Sequence, residues 1–310
     1  QVRDLLRSAG IDALQTDQLL ASAEHSATGN SLVVFPPDDV VVGLTAPARR
    51  ILYDQLGQWP QNDAQFKPFR IRTANLDDWM DKPGVSPEIK SLVSRLLYPR
   101  DPFLLFADSP AAFKAAGSLD ERKALLQMLC RHESVLPKLF MKKGDGVDAL
   151  VAYWGAGHRE SQVRPLIESI ARSGGGEICI SMLLPSFVRD RLYRYQDEKS
   201  SRFEDCLWTS VNFFEDAPEG RVQDSAAANR ELEQRCEHVQ SDYRLGDIIL
   251  LRSARSEAVI HACNYVADDI VFTKNGGSRL KPWVLMRLKD VVDYYSLTEP
   301  VELTAFRLRN

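Results

Sequence analysis

Apolar positions in the first two hundred residues recur mostly at helical spacing, and beyond about residue 203 the rhythm shortens to strands. Leu5, Leu6, Ile11, Leu14, Leu19 and Leu20 predict a helix over Val2–Ala23, broken near Gly10. Ser31–Phe35 and Val40–Val42 have the short β-branched character of strands, separated by Pro36-Pro37. Thr45 before Pro47, Ser86 before Pro87 and the Ser118-x-x-Glu121 box each mark a helix start, because a hydroxyl side chain caps the free amides of a first turn. Val147–Trp154 and Val163–Ile170 carry two more apolar stripes, the second closed by Gly174-Gly175-Gly176. Glu177–Leu183 alternates over a short span and fits a strand or an extended link. The polar run Gln196–Arg202 then divides a mainly helical region, 1–196, from a C-terminal domain, 197–310, with a lesser division near residue 85.

In the C-terminal part the pattern predicts a helix from about Glu204 to Phe214 and a charged helix from about Ser225 to Val239. Strands follow at Asp247–Arg252, Glu257–Val266 and Ile270–Thr273, then a helix at Arg287–Tyr295 and a last strand at Pro300–Leu308. Helices first and an antiparallel sheet afterwards make an α+β class.

Composition narrows the function more than the fold. With 44% hydrophobic and 26% charged residues the chain has globular composition, and no stretch approaches the roughly 18 apolar residues of a membrane span. A net charge of −4 supplies no positive field for nucleic acid. The first residue is Gln1, which fits an exported protein whose signal segment has been removed. Five cysteines are too few for a disulfide scaffold, and their odd number leaves at least one thiol free. Cys130-Arg131-His132 and Cys236-Glu237-His238 both fall in expected helices, where side chains two apart diverge, so neither is a metal site. No cofactor is expected.

One thiol stands in a chemically useful place. Cys206 opens the predicted helix in Asp205-Cys206-Leu207-Trp208, where unpaired amides favour a thiolate and the Cys206 amide itself can hold an oxyanion. His261, on a later strand, is the candidate base. Asn275, with Thr273 as alternative, is the candidate orienting group on the next strand, since alternate strand residues share a face. Asp205 and Trp208 flank the thiol as candidate substrate contacts.

These pieces resemble the NlpC-type cell-wall cysteine peptidases: Asp205-Cys206 opening a helix, Gly246-Asp247-Ile248-Ile249 as a Gly-Asp strand, and His261 with Tyr265-Val266 as the histidine strand. The resemblance covers about residues 203–310. It implies a papain-like domain whose nucleophile helix packs on a small antiparallel sheet, and a hydrolase acting on an amide of a peptide or peptidoglycan fragment. Leu207-Trp208 stands where the family has Ser-Gly, and Ala267-Asp268-Asp269 replaces its Gly-x-Gly turn. Two alternatives accompany this reading: a catalytically inactive binding or scaffold protein with the same fold, and a thiol acyltransferase or amidase on a non-wall substrate.

Overall fold

The computed structural model describes residues 2–21, 23–25, 32–197, 200, 204–216, 230, 232, 234–297 and 299–309. The chain divides into two compact units, 1–131 and 132–310. The first contains helices α1 (Val2–Ser8), α2 (Ala13–Ala21), α3 (Asp38–Gly43), α4 (Ala46–Leu56), α5 (Asp63–Phe66), α6 (Leu76–Met80), α7 (Pro87–Leu96), α8 (Ser109–Ala115) and α9 (Leu119–Leu129). Its strands are β1 (Ala23–His25), β2 (Leu32–Val34), β3 (Phe69–Arg72), β4 (Tyr98–Arg100) and β5 (Phe103–Phe106).

Several helix starts follow from the caps. The Thr45 hydroxyl accepts from the Ala48 amide, that of Ser86 from Ile89, and that of Ser118 from Glu121. The Glu121 carboxylate reaches back to the Gly117 and Ser86 amides rather than to Ser118. Two strand assignments change. Val40–Val42 is helical, because Asp38 and Asp39 stand in a first turn that Pro37 opens. Ala23, expected to end the first helix, instead opens the strand Ala23–His25, which pairs antiparallel with Leu32–Val34.

A three-stranded antiparallel sheet in the order β3-β5-β4 is the main element that the pattern missed. Phe106, Val93, Leu96, Leu125 and Met128 fill the core against it. Beside it Arg49, 0% exposed, donates through Nε to Asp108 at 2.7 Å, while its other nitrogens reach the carbonyls of Leu44, Arg95 and Val41. Tyr53 donates to the other Asp108 oxygen at 2.5 Å.

The second unit runs β6 (Lys138–Lys142), α10 (Val147–Trp154), α11 (Glu160–Arg172), β7 (Gly175–Cys179), α12 (Ser186–Arg191), α13 (Cys206–Val211), β8 (Cys236–Val239), β9 (Ile248–Ser253), β10 (Val259–Ala267), β11 (Ile270–Lys274), β12 (Trp283–Arg287), α14 (Leu288–Tyr295) and β13 (Val301–Leu308). A six-stranded sheet in the order β12-β11-β10-β9-β13-β8 forms its frame, and every pairing in it is antiparallel. On one face Ala262, Phe272 and Leu285 pack with Leu207, Trp208 and Val211 of α13. On the other, Ile249, Leu251, Cys263 and Val284 pack with Val291 of α14.

The same cluster explains why no compact-unit boundary falls at 196/197. Trp154, Ile167, Leu183 and Phe187 share one core with Leu207 and Trp208, and the Phe187 and Trp208 ring centroids are 5.5 Å apart. The expected helix over 225–239 lies partly outside the described residues, and its end, Cys236–Val239, is an edge strand paired with β13. Cys130 caps the end of α9, so neither Cys-x-His segment is helical as expected.

The Gly-Asp pair before β9 is dictated by packing. Gly246 has φ +91°, and a Cβ there would stand 2.2 Å from the Phe214 ring. Asp247 accepts from the Arg244 amide at 2.8 Å and from Arg307 Nε and Nη2 at 2.8 and 2.7 Å, tying β9 to β13. Among the described residues no helix is long and apolar enough to cross a membrane.

Candidate active site

Cys206 is the first residue of α13, and the helix begins there because Asp205 is an extended N-cap whose Oδ1 accepts from the Trp208 amide at 2.7 Å. The cap uses the Trp208 amide, and the free amides of Cys206 and Leu207 lower the proton affinity of the Cys206 thiol. A third amide, that of Ala262 on β10, acts in the same direction. It can do so because β10 joins β11 only from Asn264 onward, so the sheet is open between the two strands at the His261–Cys263 level. The sulfur therefore lies beside β10 next to Ala262, while the His261 side chain is on the α14 face of that strand.

Burial and the Asp205 carboxylate nonetheless push the thiol up to about 11 against the pull of these amides. Burial, with no counter-charge, lowers the His261 imidazole to about 3. The resting pair is a neutral thiol and a neutral ring rather than a thiolate–imidazolium pair.

His261 is 0% exposed and stands on the α14 face of the sheet with Cys263. Its Nε2 lies 2.7 Å from Thr273 Oγ1. The Thr273 hydroxyl donates to Asn275 Oδ1 at 3.2 Å, and Asn275 Nδ2 donates to Met286 Sδ at 3.2 Å. This chain of donors assigns the tautomer. A hydroxyl that gives its proton to Asn275 can only accept from His261, so Nε2 carries the ring proton and Nδ1 keeps its lone pair. Nδ1 is buried with no hydrogen-bonding partner. Tyr295 of α14 stacks on the ring at 4.2 Å between centroids and 15° between planes.

The direct orienting contact thus belongs to Thr273, and Asn275, placed first by sequence reasoning, acts one step behind it. The spacing put both residues on one face but could not show which reached the ring. Asp205 is buried as a cap, and Trp208, 1% exposed, is a core residue beside Phe187 instead of a surface open to substrate. Cys263 shares the His261 face, but its thiol donates to the Ile249 carbonyl at 3.8 Å and burial pushes it up strongly.

Three contributors were not anticipated. Asn264 Nδ2 donates to the carbonyls of Ser210 at 3.0 Å and Gly246 at 3.2 Å, clamping α13 and the Gly-Asp turn to β10. Tyr295 was visible only as the aromatic end of a predicted helix. Lys274, between Thr273 and Asn275, faces α13 and is 0% exposed. Among the described residues no cluster of three or more His, Cys, Asp or Glu side chains is arranged to hold a metal. Comparisons with protein-family models, curated proteins and solved structures give no match for this chain.

Proposed function

We propose that this protein is a thiol hydrolase of the papain-like, NlpC-type kind, cleaving an amide bond in a bacterial cell-wall peptide. The observation that carries the reading is the Asn275–Thr273–His261 relay, which leaves a lone pair on a buried, partnerless Nδ1, one residue from the amide that faces the Cys206 sulfur. In this reaction His261 Nδ1 takes the Cys206 proton as the sulfur attacks the carbonyl carbon. The oxyanion is held by the Cys206 amide, and the proton passes from Nδ1 to the leaving amine. Water then attacks the thioester, giving its proton to Nδ1, and expulsion of the sulfur releases the acid and restores the thiol. Because the free pair is neutral, the thiolate forms only as the sulfur attacks the bound carbonyl.

The test is product analysis by mass spectrometry after incubation with cell-wall peptide fragments, alongside unrelated peptide amides and acyl acceptors. Cleavage of the wall fragments by the native protein, with loss in Cys206→Ala and His261→Ala, supports the proposal. Turnover confined to the other substrates, or undiminished in Cys206→Ala, overturns it. A binding protein that retains this architecture is the second reading, and the burial that disfavours both ionised partners supports it. Fragment binding without cleavage would select it.

A further inference from the structure

Asn264 is a wholly buried carboxamide on the α13 face of β10, flanked on that face by Ala262 and Val266 in the apolar cluster that holds Leu207 and Trp208. Its Nδ2 donates to the carbonyls of Ser210 at 3.0 Å and Gly246 at 3.2 Å, so both of its amide protons are used. Its Oδ1 is buried with no hydrogen-bonding partner. Stranding a buried oxygen is costly, and a leucine would fill the same space in an apolar cluster without that cost. Packing alone does not account for the residue; the carbonyls that it holds give the reason for it.

Helix α13 is six residues long, less than two turns, and a helix that short has no stability of its own. Its place is set by bonds from outside its ladder. Asp205 caps its first turn, Asn212 Nδ2 donates to the Trp208 carbonyl at 2.8 Å, and Trp283 Nε1 donates to Thr209 Oγ1 at 3.0 Å. Asp205 and Asn212 belong to the same segment and Trp283 to β12, whereas Asn264 belongs to β10, the strand that carries Ala262 and His261. Ser210 stands one turn after Cys206, and Asn264 stands two residues after Ala262. One helical turn advances about 6 Å and two strand residues about 6.6 Å, so joining Ser210 to Asn264 brings Cys206 level with Ala262. The Cys206 sulfur does lie beside Ala262, whose amide favours the thiolate.

We propose that Asn264 is a positioning residue of the Cys206 site: its bonds to the Ser210 and Gly246 carbonyls fix α13 on β10 at the register that sets the Cys206 sulfur beside Ala262. The catalytic use of this register rests on the reading of Cys206 as the nucleophile. Gly246 is a firm anchor for the second bond, since it packs against the Phe214 ring and precedes Asp247, which Arg307 ties to β13. The helix that Cys206 opens is thereby referred to the frame of the sheet, and the sulfur need not be brought into place when substrate binds.

The experiment follows the Ala262 amide resonance in proton–nitrogen spectra, with and without the Cys206 thiol, in native protein and in Asn264→Leu. Cys206→Ala is expected to move this resonance in the native background, where the thiol sits beside the amide, and to leave it in place in Asn264→Leu, where the register is lost. A residue that only stabilises the fold predicts a lower urea midpoint with the same displacement in both backgrounds, and that result overturns the proposal. So does a native Ala262 resonance that is indifferent to Cys206→Ala. Asn264→Thr, favoured in strands but too short to hold both carbonyls, gives the same comparison if the leucine variant does not fold.

Acylation of Cys206 by a small activated ester reads the consequence for chemistry. A misplacement of about 1 Å costs on the order of a hundredfold, so folded Asn264→Leu is expected to acylate about ten- to a hundredfold more slowly. Acylation at the native rate in a variant that has lost the Ala262 coupling overturns the positioning role. Failure of the nucleophile reading looks different. Native Cys206 then takes up no acyl group, while the Ala262 resonance still loses its dependence on Cys206 in Asn264→Leu; that pattern leaves the register assignment standing and removes only its catalytic use.

Discussion

Replacing Thr273 with valine keeps the shape of the side chain and deletes only the hydroxyl, so it isolates the relay that orients His261. The deletion strands two buried groups, the His261 Nε2–H and the Asn275 Oδ1, in residues that are 0% and 4% exposed. An unsatisfied buried polar group costs about 1–3 kcal/mol, so the expected loss of stability is about 2–4 kcal/mol, a sizeable part of the roughly 5–15 kcal/mol that holds a domain together. The effect on chemistry is separate. Without an acceptor at Nε2 the proton is no longer fixed there, Nδ1 is protonated in part of the molecules, and the ring is held by Tyr295 stacking alone. Iodoacetamide alkylation of Cys206 at pH 7 should fall roughly tenfold to a hundredfold, with Thr273→Ser close to native. Urea unfolding followed by tryptophan fluorescence reads the first effect and site-resolved alkylation the second. A folded Thr273→Val protein that alkylates at the native rate would refute the assigned tautomer and the role of His261 as base.

Other consequences are open to simple measurements. Asp205→Asn retains an N-cap but removes the charge that raises the Cys206 thiol, so alkylation at pH 7 should quicken about threefold; slowing would contradict the assigned electrostatics. His261 and His132 are each lowered to about 3, in both cases by burial first, whereas an unfolded histidine titrates near 6.5. The unfolded chain therefore binds more protons between about pH 3 and 6.5, and stability present above 6.5 is lost as the pH falls. At pH 5 the two should cost on the order of 4 kcal/mol together, and His132→Leu should remove about half of that slope in urea titrations. An unaltered slope would count against it. In the first unit, Asp108→Ala leaves the fully buried Arg49 guanidinium unpaired and should lower stability by about 3–5 kcal/mol in calorimetry; a change below about 1 kcal/mol would show that the pair is dispensable.

What the sequence made legible was set by local physics. The caps at Thr45, Ser86 and Ser118 are short-range events, and they start helices where the pattern placed them. Strands β9, β10, β11 and β13 lie within a few residues of their predicted spans because an uninterrupted apolar rhythm dictates them. In the sheet of β3, β4 and β5, the strand β3 was hidden because Arg70 and Arg72 alternate with only two apolar residues, and because its partner β5 lies far along the chain. The polar run after Gln196 looked like a domain boundary, yet Phe187 before it and Trp208 after it share a core, a tertiary fact with no local sign. At the site, periodicity placed Thr273 and Asn275 on one face. Their order of contact depends on how a side chain on β11 reaches across an opening in the sheet, and spacing alone cannot encode that.

The most direct test of the central claim is the rate at which Cys206 is acylated by a small activated ester, with the adduct located by peptide mapping in native protein and His261→Ala. The account predicts an acyl group on Cys206 that forms at least about tenfold more slowly without the imidazole. Acylation of Cys206 at the same rate in both proteins would contradict it.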